Sequence, residues 1–529
     1  MWDELPKEQR EEYKRMILAF ASLSEMFAQK ADTADGDKIA PIVNSKYQET
    51  VFQKAFNGFA EDIGNTSYDV SIHSVTTDGT EKKYLVGIKT FGINSGDQKI
   101  AQFKQYNVDW AETFAKINQN AVDEKGVKRN QNDINNINEP LYHDIAKKIA
   151  EIRNKRIDSS IANLQGFQVR ENDSVESVYH VLMPSAKNEE PSISVGETSY
   201  NHIDINKLEV LGCTSDKHPM NFQFTDGKHI YKFTQADSQL LMKFNNKDIV
   251  KDVWQVKFVD DAYAVFSNIA DQLYGLSENK KVTGQYKKTN IEESYSWKLV
   301  DENGQTEIFS GFNSFYGVGS KLGRDKRMPE IFKLTKKFQN TVSAGILSLV
   351  EKNLTAYLMG KASSYREKFD KVRLRDRTVS VALSANNHEF VAAVRKLMYR
   401  PKDEVYISIP NSKAFHAAHP EFFIQGADVI TVKKGKTFNL VFEPSGTVIK
   451  SFITQDFGKA IESAKKQSLL GEWILRGVFQ LDDYEPLTGE HLKEVGINGI
   501  RLYKLKGSPD VHLEFIWIDD EELPDDYWE

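Results

Sequence analysis

Residues 84–106 read YLVGIKTFGINSGDQKIAQFKQY. A short apolar run ends in Lys89, a glycine-rich loop follows, and a glutamine-rich stretch comes next. In an extended conformation, alternation places Leu85, Gly87 and Lys89 on one face and Tyr84, Val86 and Ile88 on the other. A strand-end lysine suits stabilisation of charge on a phosphoryl group, provided that a carboxylate nearby can hold a divalent metal. Asp69, in the upstream run SYDVSIHSV, is such an acid. It shares a cleft with Lys89 if the two runs pair as a hairpin through TTDGTE. The same residues also describe an ordinary strand that ends in lysine.

The residue two before Lys89 is Gly87 rather than an acid, so a second carboxylate has to come from elsewhere. Glu49 is the expected source. It lies in NSKYQETVFQKAFNGFAEDIGN, a helix opened near Asn44 or Ser45, and Gly87 is expected to leave it room. Glu81 and Asp97 are poorer sources because they fall in a turn and a loop. Magnesium takes hard oxygen ligands, often one or two carboxylates plus waters, so Asp69 and Glu49 are the expected Mg²⁺ ligands. Gln98, Gln102 and Tyr106 recur at helical spacing. The expectation is one face of a helix over about 97–117, placed to orient a phosphate or Lys89.

A chain of 529 residues exceeds one core and predicts about two to four domains. Its charged and apolar content is that of a soluble globular protein. The stretch 341–360, TVSAGILSLVEKNLTAYLMG, is interrupted by Glu351 and Lys352 and does not read as a membrane span. The first residues, MWDELPKEQREEYKRM, lack the apolar core of a signal peptide. Cys213 is the only cysteine, which excludes an internal disulfide and a cysteine-built zinc site. A cytoplasmic location is expected. The net charge of −7 hides an asymmetry: residues 508–529 hold nine acids and no Lys or Arg, whereas 431–476 hold eight Lys and Arg against four acids. Phosphate backbones respond to such local fields rather than to the total.

Along the chain, 10–30 predicts an amphipathic helix and 140–163 another, after the Asn-rich loop NQNDINNINEP. SVYHVLM at 177–183 predicts a buried strand. The resulting α-β-β-α-β order predicts a small α/β core over 1–200. Residues 201–400 read as an accessory region, first hairpin-rich and then helical. Asp226-Gly227 and Asn303-Gly304 mark hairpin turns, and Lys228 and Lys232 alternate on one hairpin strand. Residues 401–529 read as a β-rich barrel with basic loops and a helix near 488–496. No nucleophile elbow or Walker loop occurs. His416 and His419 in FHAAHP have no third metal ligand nearby.

Glu49, Asp69 and Gly87-Ile88-Lys89 resemble the PD-(D/E)XK nuclease superfamily with the strand acid replaced. Gln102–Tyr106, QFKQY, is similar to the Gln-x-x-x-Tyr helix of some of its branches. In the last region, VYISIPNS…HPEFF, the FNLVFEPSG strand pair and LGEWILRGVFQL resemble the pseudobarrel DNA-binding domain of plant B-three transcription factors and certain type II restriction endonucleases. The resemblance covers about a quarter of the chain. It implies two arms gripping the major groove of double-stranded DNA. Asn411, Ser412, Lys413 and His416 fall in the first arm. Lys465, Lys466, Gln467 and Ser468 fall in the second, ahead of a tryptophan-bearing strand. Their chemistry suits the task, with Lys and Asn or Gln reading base edges and Ser and Lys holding phosphates.

Together the two resemblances imply a Mg²⁺-dependent type II restriction endonuclease of a prokaryotic cell, with a homodimeric state and a companion DNA methyltransferase expected. Asp69, Lys89 and Glu49 are its expected catalytic residues. The alternative is a non-catalytic, sequence-specific DNA-binding protein on a degenerate nuclease fold. A structural assembly protein would leave the basic arms to chance.

Overall fold

The computed structural model describes all residues except 28–37, 61–67, 76–80, 168–173, 275–290, 301–305, 307–311, 313–321, 362–363, 400–402, 424–436, 466 and 529. The TTDGTE turn therefore lies mostly outside the described residues. The chain is mixed α/β, with three sheets and twelve α-helices among the described residues. It divides into two compact units, 1–165 with 169–288 and 166–168 with 289–529. The Asp226-Gly227 hairpin thus belongs to the first unit and the helical stretch before residue 400 to the second, while Asn303-Gly304 lies outside the described residues. No helix among the described residues is long and apolar enough to cross a membrane.

The first unit contains helices α1 (Lys7–Ala21), α2 (Ser45–Ala55), α3 (Asn107–Gln119), α4 (Gln131–Gln165) and α5 (Ala262–Tyr274). Its strands are β1 (Phe59–Ala60), β2 (Val70–Val75), β3 (Glu81–Thr90), β4 (Gln98–Gln102), β5 (Ser174–Pro184), β6 (Ser192–Ser199), β7 (Glu209–Cys213), β8 (Phe222–Thr225), β9 (Ile230–Thr234), β10 (Gln239–Met242) and β11 (Val250–Gln255). The main sheet runs β1-β2-β3-β5-β6-β11, and a second runs β4-β10-β9-β8-β7. β2 and β3 are antiparallel, as expected, while β3 and β5 are parallel from Lys82–Ser174 to Thr90–Leu182. A parallel pair needs a long crossover, and the segment between these strands includes α3 and α4.

The two faces of β3 are set by alternation. Tyr84, Val86 and Ile88 join the core formed with α1 and α2, through Tyr13, Ile17 and Phe52. Leu85 joins the opposite core, built from α3, α4 and the second sheet. Lys83, on that same face, donates to the carbonyls of Leu164 and Gln165 at the end of α4. Asn44 caps α2, its side chain accepting from Tyr47 N at 3.0 Å. The helix ends where Asn57 turns to φ 51°, short of the expected Gly64.

Two expected elements are corrected. Residues 98–102 form β4 rather than the start of a helix, pairing with β10 from Gln98–Met242 to Gln102–Gln239. Helix begins only at Asn107, after a 3₁₀ turn at Lys104–Tyr106. The Asn-rich segment, expected as a loop, is the first part of α4. Its amides find tertiary partners: Asn135 accepts from Cys213 N at 2.8 Å, and the buried Asn138 donates to the Ile117 carbonyl at 3.2 Å. These bonds replace the local backbone bonds that usually draw asparagine away from helices.

The second unit holds a seven-stranded sheet. Its strands are β12 (Ile291–Lys298), β13 (Ile407–Ser408), β14 (Phe438–Phe442), β15 (Thr447–Thr454), β16 (Ala460–Ser463), β17 (Gly499–Leu505) and β18 (Val511–Ile516), in the order β12-β17-β18-β14-β15-β16-β13. Helices α6 (Arg324–Phe338), α7 (Ala344–Met359), α8 (Tyr365–Leu383) and α9 (His388–Met398) share a separate core around Ile331, Leu354 and Phe390. Short helices α10 (Ser412–Ala418), α11 (Gln467–Gly471) and α12 (Gly489–Val495) lie in the remaining connections, the last as expected. The expected tryptophan-bearing strand is instead helical. Glu472–Val478 continues α11 as a π-helix that buries Trp473, Ile474, Leu475 and Val478, with Phe479 N bonded to the Ile474 carbonyl at 2.8 Å. The acidic tail is pinned to this unit by Asp526, which accepts from Arg501 at 2.9 Å and from Ser296 Oγ at 2.8 Å.

In the first unit, His180 of β5 lies fully buried between Trp2, Tyr13 and Phe52, with Nε2 3.1 Å from the Tyr13 hydroxyl. Burial pushes its pKa down to about 3, so the imidazole is neutral in the fold. The unfolded chain takes up a proton near the ordinary value of about 6.5, so stability falls as pH drops from there toward 3. Between about pH 7 and pH 5 the expected loss from this residue is about 2 kcal/mol. Urea titrations at both pH values should show that loss, and His180→Gln should remove it. An unchanged pH dependence in the variant would assign the loss to other groups.

Candidate functional site

The open end of the β2–β3 ladder carries the groups of interest. The last registered pair is Val70–Val86, and Asp69 is the next residue outward, its backbone N–H donating to the Val86 carbonyl at 2.9 Å. Its carboxylate Oδ2 accepts from Ile88 N at 2.6 Å. This bond turns the half-buried Asp69 side chain toward the end of β3, one residue from Lys89. Lys89 is also half-buried, and its ammonium has no hydrogen-bond or ion-pair partner among the described residues. Asp69 and Lys89 therefore come to the same end of the same strand pair, as the hairpin reading expected.

The α2 side of this end differs from expectation. Thr90 donates its hydroxyl to the side-chain carbonyl of Gln48, which is fully buried and also lies beside the Tyr13 hydroxyl. Gln48, rather than Glu49, is the α2 residue that meets β3. Glu49 lies about 100° further round the helix and pairs with the exposed Lys46 at 3.0 Å. Nor does Gly87 make room for it. Gly87 faces the α4 side of the sheet, away from α2, and a Cβ there would sit 2.8 Å from the Tyr179 ring. That ring stacks on Tyr200 with centroids 4.3 Å apart. The glycine therefore serves aromatic packing between adjacent parallel strands.

The expected orienting residues are dispersed. Gln98 donates to the Gly96 carbonyl at 2.9 Å, and Gln102 to that of Asp237 at 3.2 Å, both from β4. Tyr106 is buried in the core, stacked on Trp110 at 5.3 Å. They share no helical face. Sequence reasoning missed Asn246, whose amide donates to the carbonyls of Ile93 and Ser95 at 2.8 and 2.9 Å. It fixes the glycine-rich loop that follows Lys89. A cavity of about 350 Å³ lies between this loop and residues 243–248, and Lys243 and Lys247 contribute to its wall. Nothing in the local pattern FNNKD signals that role. A larger cleft of about 820 Å³, lined by Ser177, Tyr200, His202 and Lys228, adjoins the opposite end of β5.

Mg²⁺ needs hard oxygen donors and retains several waters. The oriented Asp69 carboxylate supplies a donor of that kind. No group of three or more His, Cys, Asp or Glu among the described residues is disposed to share a metal ion. The strand end thus offers one oriented carboxylate, Asp69, and an ion there would draw its remaining ligands from water.

In the second unit the residues expected in the first arm differ in exposure. Asn411 and Lys413 are exposed, and Ser412 is half-buried at the start of α10. His416 is buried, with Nε2 2.9 Å from the Gly458 carbonyl, so it braces the fold and is not presented at the surface. In the second arm Lys465 is exposed and Ser468 half-buried. Gln467 opens α11, while Lys466 lies outside the described residues. No family model and no curated protein matches this chain.

If Gly87 exists for the Tyr179 ring, Gly87→Ala should destabilise the protein by roughly 1–3 kcal/mol through overpacking. Gly96→Ala, whose Cβ would meet open space, should stay within about 0.5 kcal/mol of wild type. Denaturant midpoints test the pair. A neutral Gly87→Ala would mean that the ring yields and that the glycine has another purpose.

Proposed function

We propose that this protein is a Mg²⁺-dependent type II site-specific deoxyribonuclease. In this reading the first unit holds a PD-(D/E)XK-like core and the second unit a B-three-like pseudobarrel that reads double-stranded DNA. The observation that carries the proposal is the pairing at one strand end of an oriented carboxylate, Asp69, with an uncommitted ammonium, Lys89. Phosphodiester hydrolysis needs both kinds of group.

Asp69 would hold Mg²⁺ with water, and Glu49 is the proposed second carboxylate once released from Lys46. The ion, when bound, supplies polarisation of a phosphoryl oxygen and a lowered pKa for nearby water. The backbone N–H of Ile88 keeps Asp69 Oδ2 in place, which fixes the other carboxylate oxygen by geometry. Lys89 places a positive charge where negative charge grows on the phosphoryl group. In the low-dielectric end of the sheet that charge acts more strongly than in water. Lys243 and Lys247, across the adjoining loop, would hold flanking phosphates. A homodimer, matching a symmetric target, and a protective companion methyltransferase in a prokaryotic cytoplasm belong to the same proposal.

A second reading keeps DNA binding without cleavage. It is favoured by the Glu49–Lys46 ion pair and by the absence of a side chain at Gly87, which leave one oriented carboxylate at the strand end.

Full-length protein with Mg²⁺ should cleave a mixed DNA substrate at defined positions. Lys89→Ala and Asp69→Asn should each lower the single-turnover rate by about a hundred-fold or more while DNA affinity changes only a few-fold. Glu49→Gln should raise the Mg²⁺ concentration needed for half-maximal rate. Wild type that binds specifically but never cuts would decide for the non-catalytic reading. Full activity in Lys89→Ala would remove Lys89 from the chemistry.

A further inference from the structure

The turn joining β15 to β16 is unusual in one respect. Gln455, Phe457 and Gly458 have φ of 65°, 57° and 68°, so three of four successive residues lie in the left-handed region. Glycine adopts it freely, but a phenylalanine there costs roughly 1–2 kcal/mol. A bulky residue kept in such a conformation is usually held for its position rather than for stability. Phe457 gains little burial in return, because it is 56% exposed.

The turn is nevertheless held firmly. His416 Nε2 lies 2.9 Å from the Gly458 carbonyl, and a Cβ on Gly458 would sit 2.5 Å from that nitrogen. Ile409 N donates to the Lys459 carbonyl at 2.8 Å, beside the β13–β16 pairing. These bonds couple the turn to α10, so that Phe457 and the exposed Lys413 project together, with Lys413 Nζ 5.7 Å from the ring centroid. Asn411, two residues before Lys413, is exposed and also has a positive φ, at 42°. The result is an apolar ring, a cation and an amide presented on one braced edge.

We propose that Phe457 is a specificity-determining residue that contacts a pyrimidine 5-methyl group in the major groove, while Lys413 holds a neighbouring phosphate. The inference rests on the reading of the second unit as a major-groove DNA reader. Amides and ammoniums can engage the hydrogen-bonding edges of bases, but a phenyl ring cannot. Among the unmodified bases, the apolar group displayed in that groove is the thymine methyl. A ring already contacted by Lys413 has its remaining surface free for such a contact.

The test uses full-length Lys89→Ala protein, which avoids cleavage, and a duplex enriched from a randomised pool. Each thymine of that duplex is replaced in turn by uracil, which removes only the methyl. One position is expected to lose about fourfold in affinity, as for burial of a single methyl group. Adding Phe457→Ala should abolish that preference. Adding Lys413→Ala should weaken all sequences alike and reduce the salt slope by about one. Phe457→Gly should raise the melting temperature, since the strain is relieved, and should also lose the methyl preference. Indifference to every uracil, or a preference that survives Phe457→Ala, overturns the proposal while leaving DNA reading intact. A lower melting temperature in Phe457→Gly also overturns it, by making the ring a structural element. If no duplex binds or is enriched, both this proposal and the DNA-reading assignment of the second unit fail.

Discussion

The parallel ladder between β3 and β5 is the constraint on which the first unit depends. Once Lys82 to Thr90 are registered against Ser174 to Leu182, the intervening chain must cross over the sheet and return. The two faces then belong to different layers, α1 and α2 on one side and α4 with the second sheet on the other. Gly87 is the point at which this ladder admits the Tyr179 ring, and the ring's stack on Tyr200 ties β5 to the segment after β6. A glycine at position 87 is thus a consequence of packing at the parallel pair.

The same registration determines which chemistry can assemble. Even-numbered residues from Tyr84 to Thr90 look toward α2 and odd-numbered ones toward α4, so no single helix can serve both. Thr90, Gln48, Tyr13 and His180 form a line of buried polar contacts on the α2 side. The Thr90–Gln48 and Tyr13–His180 bonds favour one arrangement of the elements that bear them, while Gln48 Nε2 and His180 Nδ1 find no hydrogen-bond partner among the described residues. That line sets the approach of α2 to the sheet and leaves Glu49 beside it, paired outward with Lys46. A carboxylate shift from α2 toward Asp69 would have to break the Lys46 pair. Such exposed pairs are worth little, about 0–1 kcal/mol. Breaking that pair is therefore energetically cheap, whereas displacing Gln48 is not.

Strand pairings with strong local signals were legible in the sequence. The β2–β3 antiparallel pair and the β8–β9 hairpin around Asp226-Gly227 follow from alternation and turn chemistry. What escaped was settled by distant partners. The Asn-rich start of α4 is helical because Asn135 and Asn138 bond to Cys213 and Ile117. Residues 98–102 are extended because β10, more than a hundred residues later, pairs with them. The run WILRGVF has no period that separates a buried helix from a buried strand, and packing chose the helix. At the candidate site Asp69 and Lys89 were legible as a strand pair. The burial of His416 and the exchange of Gln48 for Glu49 depended on helix phase, which a one-residue ambiguity at a helix start conceals.

Stability and exposure together separate residues that build this protein from residues that face a partner. His416 was a plausible DNA contact by composition, yet its burial and its bond to the Gly458 carbonyl make it a brace. Phe457, by composition a core residue, is strained and exposed on the turn that His416 braces. Residue type alone would have assigned the two in reverse. A folding requirement explains an aromatic ring that is buried, and it explains a left-handed turn that contains glycine or asparagine. It does not explain an exposed aromatic ring held in a left-handed turn by a buried histidine. In the proposed reading, that bracing lets a partner outside the second unit meet the ring at a defined place. That separates the α10 edge from exposed lysines such as Lys333 and Lys337, which pair with Glu330 and Glu389.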